Sequence, residues 1–388
     1  MSDLNDPFRP DRLEDKVPTS NVLLPGCRPV GLQVVSARNR HFGPASLQAN
    51  YNNGFIGCFV NDSEAPSWAQ DIAGQEAARL RDTPVWAGAA ETQLVNQKLA
   101  LTGKGKRAVN FNHYRRLDPS NALIFMQNYG NCTMASCAEL CGSVISSDQL
   151  GEGKPLAYLA KVGTAVPYGF RGHSGQGSSL ETAAWVHTTI GTQLRIVYEL
   201  GSQKWDFRDE DKDESYGNAW GRSGPPKALV DHLKSGQRRF SKVHSISEEG
   251  AVLDALFNFG AIHVGSTRTA MNSGDPVTYR LQSANHAEYL MGYDDTDEFR
   301  EFYEQRTGKK LTSWVGIWNQ TWGNWNKVTN WPDHLWGPRP EGAFVLTAED
   351  TMKKVRQTAY VYTDSEGFHP RDVTDWNIVF SPEHPMGR

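Results

Sequence analysis

The chain has 388 residues, enough for two domains or for one domain with long extensions. Its formal net charge is −4 at pH 7, so no broad basic surface indicates a nucleic-acid partner or an anionic membrane surface. Hydrophobic residues make up 38% of the chain, and no window reaches the roughly 18 consecutive apolar residues of a membrane helix. The composition therefore predicts neither nucleic-acid binding nor membrane insertion.

The N-terminal sequence MSDLNDPFRPDRLEDK lacks the apolar run of a signal peptide, which predicts a protein that is not secreted by that route. Five cysteines are an odd number, and without a secretion signal all five are expected to be reduced thiols in a cytoplasmic protein. Cys132, Cys137 and Cys141 are close together, but their C-x4-C-x3-C spacing lacks a C-x2-C knuckle. We therefore expect no metal site and no cofactor.

The first part of the chain differs in composition from the rest. Residues 1–65 are rich in Pro, Asn, Asp and Gly and predict an extended arm with a few short strands. Residues 67–100 have a helical pattern that Pro84 interrupts. We take residues 1–105 together as an N-terminal arm and helical extension, and the composition of a globular domain begins at about residue 106.

Helical patterns come first in the globular part and strand patterns follow. Helices are predicted at 132–142, 178–190, 226–235 and 248–258, and strands at 260–266, 277–282, 286–293, 313–320 and 342–347. This order predicts an α+β protein with segregated halves. The expected units are a helical lobe at 106–240, a β lobe at 241–349 and a polar surface tail at 350–388.

The stretch QNYGNCTMASC (127–137) places Cys132 where a loop becomes a helix. Gly130 and Asn131 are turn and N-cap residues, and helix formers follow from Ala135. The positive end of a helix dipole lowers the pKa of a thiol and favours the nucleophilic thiolate. A buried cysteine that packs as a small hydrophobic residue is the commoner alternative.

A cysteine nucleophile needs a base, and the base needs an orienting partner. Among the eleven histidines the best candidate is His286 in NHAEYLMGYDD, at the start of a predicted strand. The next strand region, WVGIWNQTWGNWN, carries Asn319 and Gln320, either of which could bond the imidazole. A histidine that opens a strand is more often structural, so each of these signals is weak when taken alone.

Taken together, the motifs resemble the papain-like cysteine peptidase family. QNYGNC resembles the family's Gln-to-Cys loop, NHAEYLMGYD its His strand, and NQTWGNW its Asn-Ser-Trp-Gly turn. The stretch GQGSSLETAAWVHTTIGTQLRIVY resembles the Gly-rich wall of its substrate pocket with the helix that follows. The resemblance covers about residues 109–346 in the family's order. It implies a two-lobed fold, with a helical lobe, an antiparallel β-barrel-like lobe and an extended N-terminal arm.

The resemblance also implies a role for each site residue. Cys132 would attack a peptide carbonyl, and His286 would protonate the leaving amine and later activate water. Gln127 would donate to the oxyanion. Asn319 or Gln320 would orient the imidazole.

Two further positions follow from the same resemblance. Trp322 would shield the bond between the imidazole and the amide from water. Gly177 would let a peptide backbone lie close to the helical lobe. The implied activity is that of a thiol protease, a hydrolase acting on a peptide or protein substrate.

Several positions depart from the family pattern. Gln127 lies one residue nearer to Cys132 than the family's Gln, and Gln320 rather than Asn319 holds the position of its Asn. Glu288 follows His286 on the same strand face, where the family prefers a small apolar residue. These departures support a second hypothesis, a papain-fold structural or assembly protein whose site is weak or inactive, such as a bacteriophage virion component. A third, a cell-wall amidase, rests on six tryptophans between 314 and 336 that could contact glycan.

The N-terminal arm has two interpretations. A segment before the papain-like domain is commonly an inhibitory propeptide, and the 67–100 stretch has the place and the helical character of one. It lacks the family's spaced Glu-Arg-Phe-Asn pattern, and the first sixty residues carry too little apolar periodicity to fold alone. We therefore expect the arm to bind a protein partner in an assembly, with a virion as one setting.

Overall fold

The computed structural model describes residues 58–59, 104–111, 127, 129–151, 161–236, 240, 242–259, 261–322 and 330–363. The strands are β1 Cys58–Phe59, β2 Arg107–Val109, β3 Ser178–Ser179, β4 Val197–Leu200, β5 Gln203–Asp206, β6 Lys242–Ser245, β7 Ile262–Ser273, β8 Tyr279–Asp294, β9 Val315–Asn319, β10 Ala343–Thr347 and β11 Thr358–Thr363. The helices are α1 Cys132–Gly151, α2 Ala165–Gly169, α3 Leu180–Trp185, α4 Glu210–Trp220, α5 Lys227–Ser235, α6 Glu249–Phe259, α7 Asp297–Thr307, α8 Asp333–Trp336 and α9 Ala348–Val355. A π-helical turn, Val186–Ile190, continues α3.

A seven-stranded antiparallel sheet forms the β lobe. Its strand order is β10-β9-β8-β7-β11-β6, and β2 pairs with the end of β8 on the edge opposite β9. The central strand β8 approaches β2 closely at Gly292, where a Cβ atom would lie 2.4 Å from the carbonyl oxygen of Ala108. A glycine is therefore required at this crossing.

Helices cover both faces of the sheet. Between α1 and the sheet lies a core that includes Met134, Ala138, Met291, Ile317 and Val345. On the opposite face, α6 and α9 bury a second core that includes Val252, Leu256, Trp318, Phe344 and Met352. The sheet is thus the middle layer of three, which explains why its central strands are apolar on both faces.

Helix α1 begins at the predicted place. The backbone N–H groups of Met134 and Ala135 donate to the carbonyl oxygen of Asn131 at 2.8 and 2.9 Å. Small side chains along the first turns, including Ala135 and Ala138, allow this helix to pack closely against β8. The fold therefore holds Cys132 rigidly at the junction between the helices and the sheet.

The predicted helices at 132–142, 226–235 and 248–258 and the strands at 313–320 and 342–347 match α1, α5, α6, β9 and β10 in place. The strands predicted separately at 277–282 and 286–293 are one continuous strand, β8, because β7 is long enough to pair with both parts. The predicted helix over 178–190 starts as the short strand β3 and ends as the π-helical turn.

The prediction of a surface tail at 350–388 is wrong for residues 350–363. Helix α9 covers the sheet, and β11 lies inside the sheet between β7 and β6. The cause is an apolar stripe, Met352 and Val355 on the helix and Val361 on the strand, that the polar neighbours mask in the sequence. Residues 364–388 and the predicted 67–100 helix lie outside the described residues.

Within the described part of the chain, none of the helices combines the length and the apolar character needed to cross a membrane.

Candidate active site

Cys132 is the first residue of α1 and its side chain is fully buried. It packs against Leu180 of α3 and Ala287 of β8, with Tyr360 of β11 alongside. The backbone N–H of Ala287 donates to its Sγ at 3.4 Å. The thiol therefore lies where the helical lobe meets the sheet, one residue from His286.

Burial raises the pKa of the Cys132 thiol to about 12, although hydrogen bonds from the backbone N–H groups of Ala287 and Thr133 act in the opposite direction. The charge of Glu288 raises this pKa further. The expectation of a lowered pKa from the helix terminus is therefore wrong for this arrangement. The free-energy cost of removing a thiolate from water is larger than the stabilisation that a helix terminus and two N–H donors provide.

His286 lies within β8 rather than at its start, next to an irregularity in the pairing with β7 between Ser266 and Arg268. Such bulges re-aim side chains and are common beside active sites. The imidazole stacks on Trp322 with ring centroids 4.1 Å apart and an interplanar angle of 28°. The structure therefore brings the predicted histidine and the predicted shielding tryptophan into direct contact.

The imidazole of His286 is buried, and neither ring nitrogen has a hydrogen-bond partner among the described residues. Burial lowers its pKa well below the usual range, and the positive charge of Lys354 lowers it further. Consequently no hydrogen bond joins it to the Cys132 thiol. Burial thus favours the neutral form of both the thiol and the imidazole.

The two candidate amides have different surroundings. Asn319, the last residue of β9, donates from Nδ2 to the backbone oxygen of Glu341 at 3.1 Å. Gln320 is fully buried, and neither its Oε1 nor its Nε2 has a partner among the described residues. The Oδ1 of Asn319 is likewise buried without a partner among the described residues, so each amide keeps an acceptor for an imidazole and Gln320 keeps a donor as well.

Gln127 is held by the loop that follows β9. Its Oε1 accepts a hydrogen bond from the Thr321 hydroxyl, and its Nε2 donates to the backbone oxygen of Tyr129 at 3.2 Å. Its backbone N–H also donates to the carbonyl oxygen of Thr321 at 3.1 Å. An amide nitrogen carries two N–H groups, so one of them can still donate to a substrate oxygen.

Gly177 has a φ of +93°, a left-handed conformation that favours glycine. The next two residues form β3, which pairs in parallel with β1 of the N-terminal arm. Ser178 is in register with Cys58, and Ser179 with Phe59. The segment after Gly177 thus pairs with an extended chain, which here is Cys58–Phe59 of the protein's own N-terminal part.

A buried ion pair lies behind the site. The Nζ of Lys354 on α9 contacts the carboxylate of Glu288, and both side chains are fully buried. Glu288 also accepts a hydrogen bond from the Thr269 hydroxyl at 2.5 Å, and Lys354 donates to the backbone oxygen of Arg268 at 2.8 Å. The sequence indicated Glu288 as a departure but missed Lys354, because this lysine was assigned to a surface tail.

One group of side chains has the composition of a metal site. Cys137, Cys141 and His187 are buried, and their potential ligand atoms all lie within 4.8 Å of one another. Cys132 does not belong to this group. Cys132, Cys137 and Cys141 are free thiols.

A cysteine heads a central helix, a histidine lies on the antiparallel sheet against which that helix packs, and an amide and a stacked tryptophan follow the next strand. These residues follow one another along the chain in the order of the family resemblance, and their elements pack together in the fold. The chain thus has a divergent papain-like fold, of the α+β class.

Solved structures with similar folds are cysteine proteases, all of them distant. Xylellain, a cysteine protease from Xylella fastidiosa, aligns at 14% identity and a TM-score of 0.45, over 74% of this chain and 93% of its own. ProCathepsin B S9 from Trypanosoma congolense aligns at 13% identity and a TM-score of 0.39, over 84% and 99% of the two chains. Digestive procathepsin L 3 of Tenebrio molitor aligns at 12% identity and a TM-score of 0.36, over 82% of this chain and 87% of its own.

No model of a known protein family matches the sequence. No curated protein matches it either.

Proposed function

We propose that this protein is a cysteine peptidase or amidase in which Cys132 is the nucleophile, His286 the general base and Gln320 the residue that orients the imidazole. The arrangement described above is its closed form, in which the cleft holds part of the N-terminal arm.

The observation that carries the proposal is the set of buried polar atoms of His286 and Gln320 that have no partner among the described residues. Both ring nitrogens of His286 and both amide atoms of Gln320 are buried and unbonded within the described residues. A buried polar group without a hydrogen bond costs roughly 1–3 kcal/mol, so a purely structural site would have replaced these side chains with apolar ones. Such unmet groups are expected where a substrate or a rearranged side chain completes the bonding.

The proposed reaction follows from these groups. When the cleft opens, His286 takes the proton of the Cys132 thiol, and Sγ attacks the carbonyl carbon of a peptide bond. His286 then gives the proton to the leaving amine, which leaves an acyl-enzyme that water hydrolyses. Gln127 supplies an N–H to the oxyanion, and the wall after Gly177 holds the substrate backbone as an added strand.

A second candidate is a papain-fold assembly protein that does not use the site. The observation in its favour is the combination of complete burial, a thiol pKa of about 12 and the missing bond between Cys132 and His286. In this case the arm binds a partner subunit rather than regulating a cleft.

Labelling of cysteines with iodoacetamide at pH 6 separates the two candidates, with the modified residue located by mass spectrometry. The full chain should label slowly at Cys132 because its thiol is buried and neutral. The double variant C58P/F59P removes backbone N–H groups from β1 and should release it from β3. In this variant, Cys132 should label much faster than the other cysteines.

Two controls make the result decisive. C58A/F59A keeps the backbone donors and should label like the wild type. Adding His286→Ala to the proline variant should abolish the fast labelling at pH 6, because the base that forms the thiolate is gone. Fast labelling that survives His286→Ala, or a proline variant that is folded and unreactive at Cys132, would reject the peptidase proposal.

A further inference from the structure

A second polar cluster lies in the core, deeper along α1 than Cys132. Cys137 and Cys141 are separated by one helical turn, so their side chains share a face of the helix. His187 faces them from the π-helical turn after α3. All three side chains are fully buried, and their potential ligand atoms lie within 4.8 Å of one another.

The distances suit a tetrahedral zinc ion. The two Sγ atoms are 3.9 Å apart. Zinc–sulfur bonds of about 2.3 Å in a tetrahedral site place two sulfurs about 3.8 Å apart. Two ligands four residues apart on one helix face are also a spacing by which helices bind zinc.

His187 is oriented as a metal ligand would be. Its Nδ1 is 3.2 Å from the Thr192 hydroxyl, which fixes the ring, while its Nε2 is buried without a partner among the described residues. A histidine that binds a metal through one ring nitrogen typically forms a hydrogen bond to a neighbouring polar group through the other. The π-helical turn that carries it is a rare conformation, seen frequently at functional sites.

The net charge of the cluster and its apolar surroundings are compatible with a bound zinc ion. Two thiolates and one Zn²⁺ sum to zero, which makes the set compatible with an apolar core, whereas two buried thiolates alone would not be. The Tyr362 hydroxyl lies 3.3 Å from the Sγ of Cys137 and 3.4 Å from the Nδ1 of His263. Phe240 packs edge-on against both His187 and Tyr362 and helps to exclude water.

We propose that Cys137, Cys141 and His187 form a structural zinc site, with Tyr362 or a trapped water as the fourth ligand. Each thiol loses its proton on binding and Nε2 contributes its lone pair, so two protons are released for each zinc bound. The ion joins α1 to the π-helical turn and, through Tyr362, to β11. This site uses no atom of Cys132 or His286 and is independent of the proposed activity.

The expectation of no metal site rested on the cysteine spacing alone. That spacing was measured from Cys132, which is not a ligand. The third donor comes from His187, far along the sequence. The cluster is therefore visible only in the folded chain.

Elemental analysis of the full chain tests the proposal, after expression with added zinc and purification under reducing conditions. We expect about one zinc per chain and a tetrahedral Co²⁺ spectrum with a thiolate charge-transfer band when cobalt replaces zinc. Cys141→Ser and His187→Gln should each lose the metal. Thr192→Val should weaken zinc binding about 10–100-fold, because it removes only the outer partner of the ligand.

Cys132→Ser is the matched control, since it removes a thiol from the same helix and should retain full zinc content. If the ligand variants fail to fold, titration of the reduced wild type with Co²⁺ still decides the question. The absence of both bound zinc and a cobalt–thiolate band in folded wild type would overturn the proposal. A disulfide between Cys137 and Cys141, or full zinc content in Cys141→Ser and His187→Gln, would overturn it as well.

Discussion

The two candidate amides, Asn319 and Gln320, differ in their hydrogen bonds. The Nδ2 of Asn319 donates to the backbone oxygen of Glu341, whereas its Oδ1 and the side-chain polar atoms of His286 and Gln320 have no partner among the described residues. A bond that is present contributes to stability, and a buried atom without one costs stability. Substitutions at Asn319 and Gln320 should therefore change the free energy of unfolding in different directions.

Asn319→Ala should lower the free energy of unfolding by about 0.5–1.5 kcal/mol, because it removes the bond to Glu341. Gln320→Leu should leave stability unchanged or raise it, because it removes two unbonded polar atoms from the core. Urea unfolding measures both effects. In a chain whose arm has been released, Gln320→Leu should also slow labelling of Cys132, whereas Asn319→Ala should not. The reverse pattern would assign the orienting role to Asn319.

The depressed pKa of His286 predicts a dependence of stability on pH. Below pH 6.5 the unfolded chain binds a proton at this histidine while the folded chain does not, so the free energy of unfolding falls as the pH is lowered. The slope for one such group approaches about 1.4 kcal/mol per pH unit between the unfolded and the folded pKa.

The measurement compares wild type with His286→Phe above and below pH 6.5. The variant should lack this part of the slope. Equal slopes in the two proteins would show that His286 titrates normally in the folded state.

Strand β8 and helix α9 are joined through the buried pair of Glu288 and Lys354, and each partner affects the site. Glu288 raises the pKa of Cys132, and Lys354 lowers that of His286. Both charges thus favour the neutral forms of the Cys132 thiol and the His286 imidazole. The pair links β8 to α9 and opposes ionisation of these two groups.

Lys354→Met should destabilise the protein by about 3–5 kcal/mol, because it leaves the carboxylate of Glu288 buried without its counter-charge. The double variant E288M/K354M should recover most of this loss. Lys353→Met is the matched control: this neighbouring lysine pairs with Glu349 and Asp350 at the surface, so its loss should change little. A small effect of Lys354→Met would mean that Glu288 takes up a proton or reaches water.

At the scale of the whole molecule, the N-terminal arm meets both lobes. Strand β1 pairs with β3 of the helical lobe and also lies near β7 and β8 of the sheet. It therefore lies at the junction between the helical lobe and the sheet. This placement supports a covering role for the arm, whereas the missing propeptide pattern supports a role in assembly.

Deleting residues 1–105 separates these roles. If the arm covers the cleft, the remaining chain should label faster at Cys132 and should hydrolyse peptide substrates. If the arm binds a neighbouring subunit, the deletion should convert an assembly into monomers with the labelling rate unchanged. Size-exclusion chromatography with light scattering and the labelling assay, run on the same samples, measure both outcomes. A change in hydrolysis without a change in mass would reject the assembly role.

Local patterns in the sequence predicted much of the fold. The turn before Cys132, the strand around His286 and the pair Gln320 and Trp322 each depend on residues close together in the chain. Helix caps, strand alternation and motif spacing are local signals, so they can be read without the structure. The same signals failed for 350–363, where polar residues outnumber the apolar positions that pack on the sheet.

The sequence alone established the class of fold, the order of its elements and the identity of a cysteine, a histidine and an amide that could form one site. Only the tertiary structure decided the charge state of that site, because burial and the pair Glu288–Lys354 act through distances that no local pattern contains. It also decided how each amide is bonded, that β1 pairs with β3, and that His187 lies beside Cys137 and Cys141. Each of these depends on contacts between residues far apart in the chain, and desolvation and pairing energies are properties of those contacts.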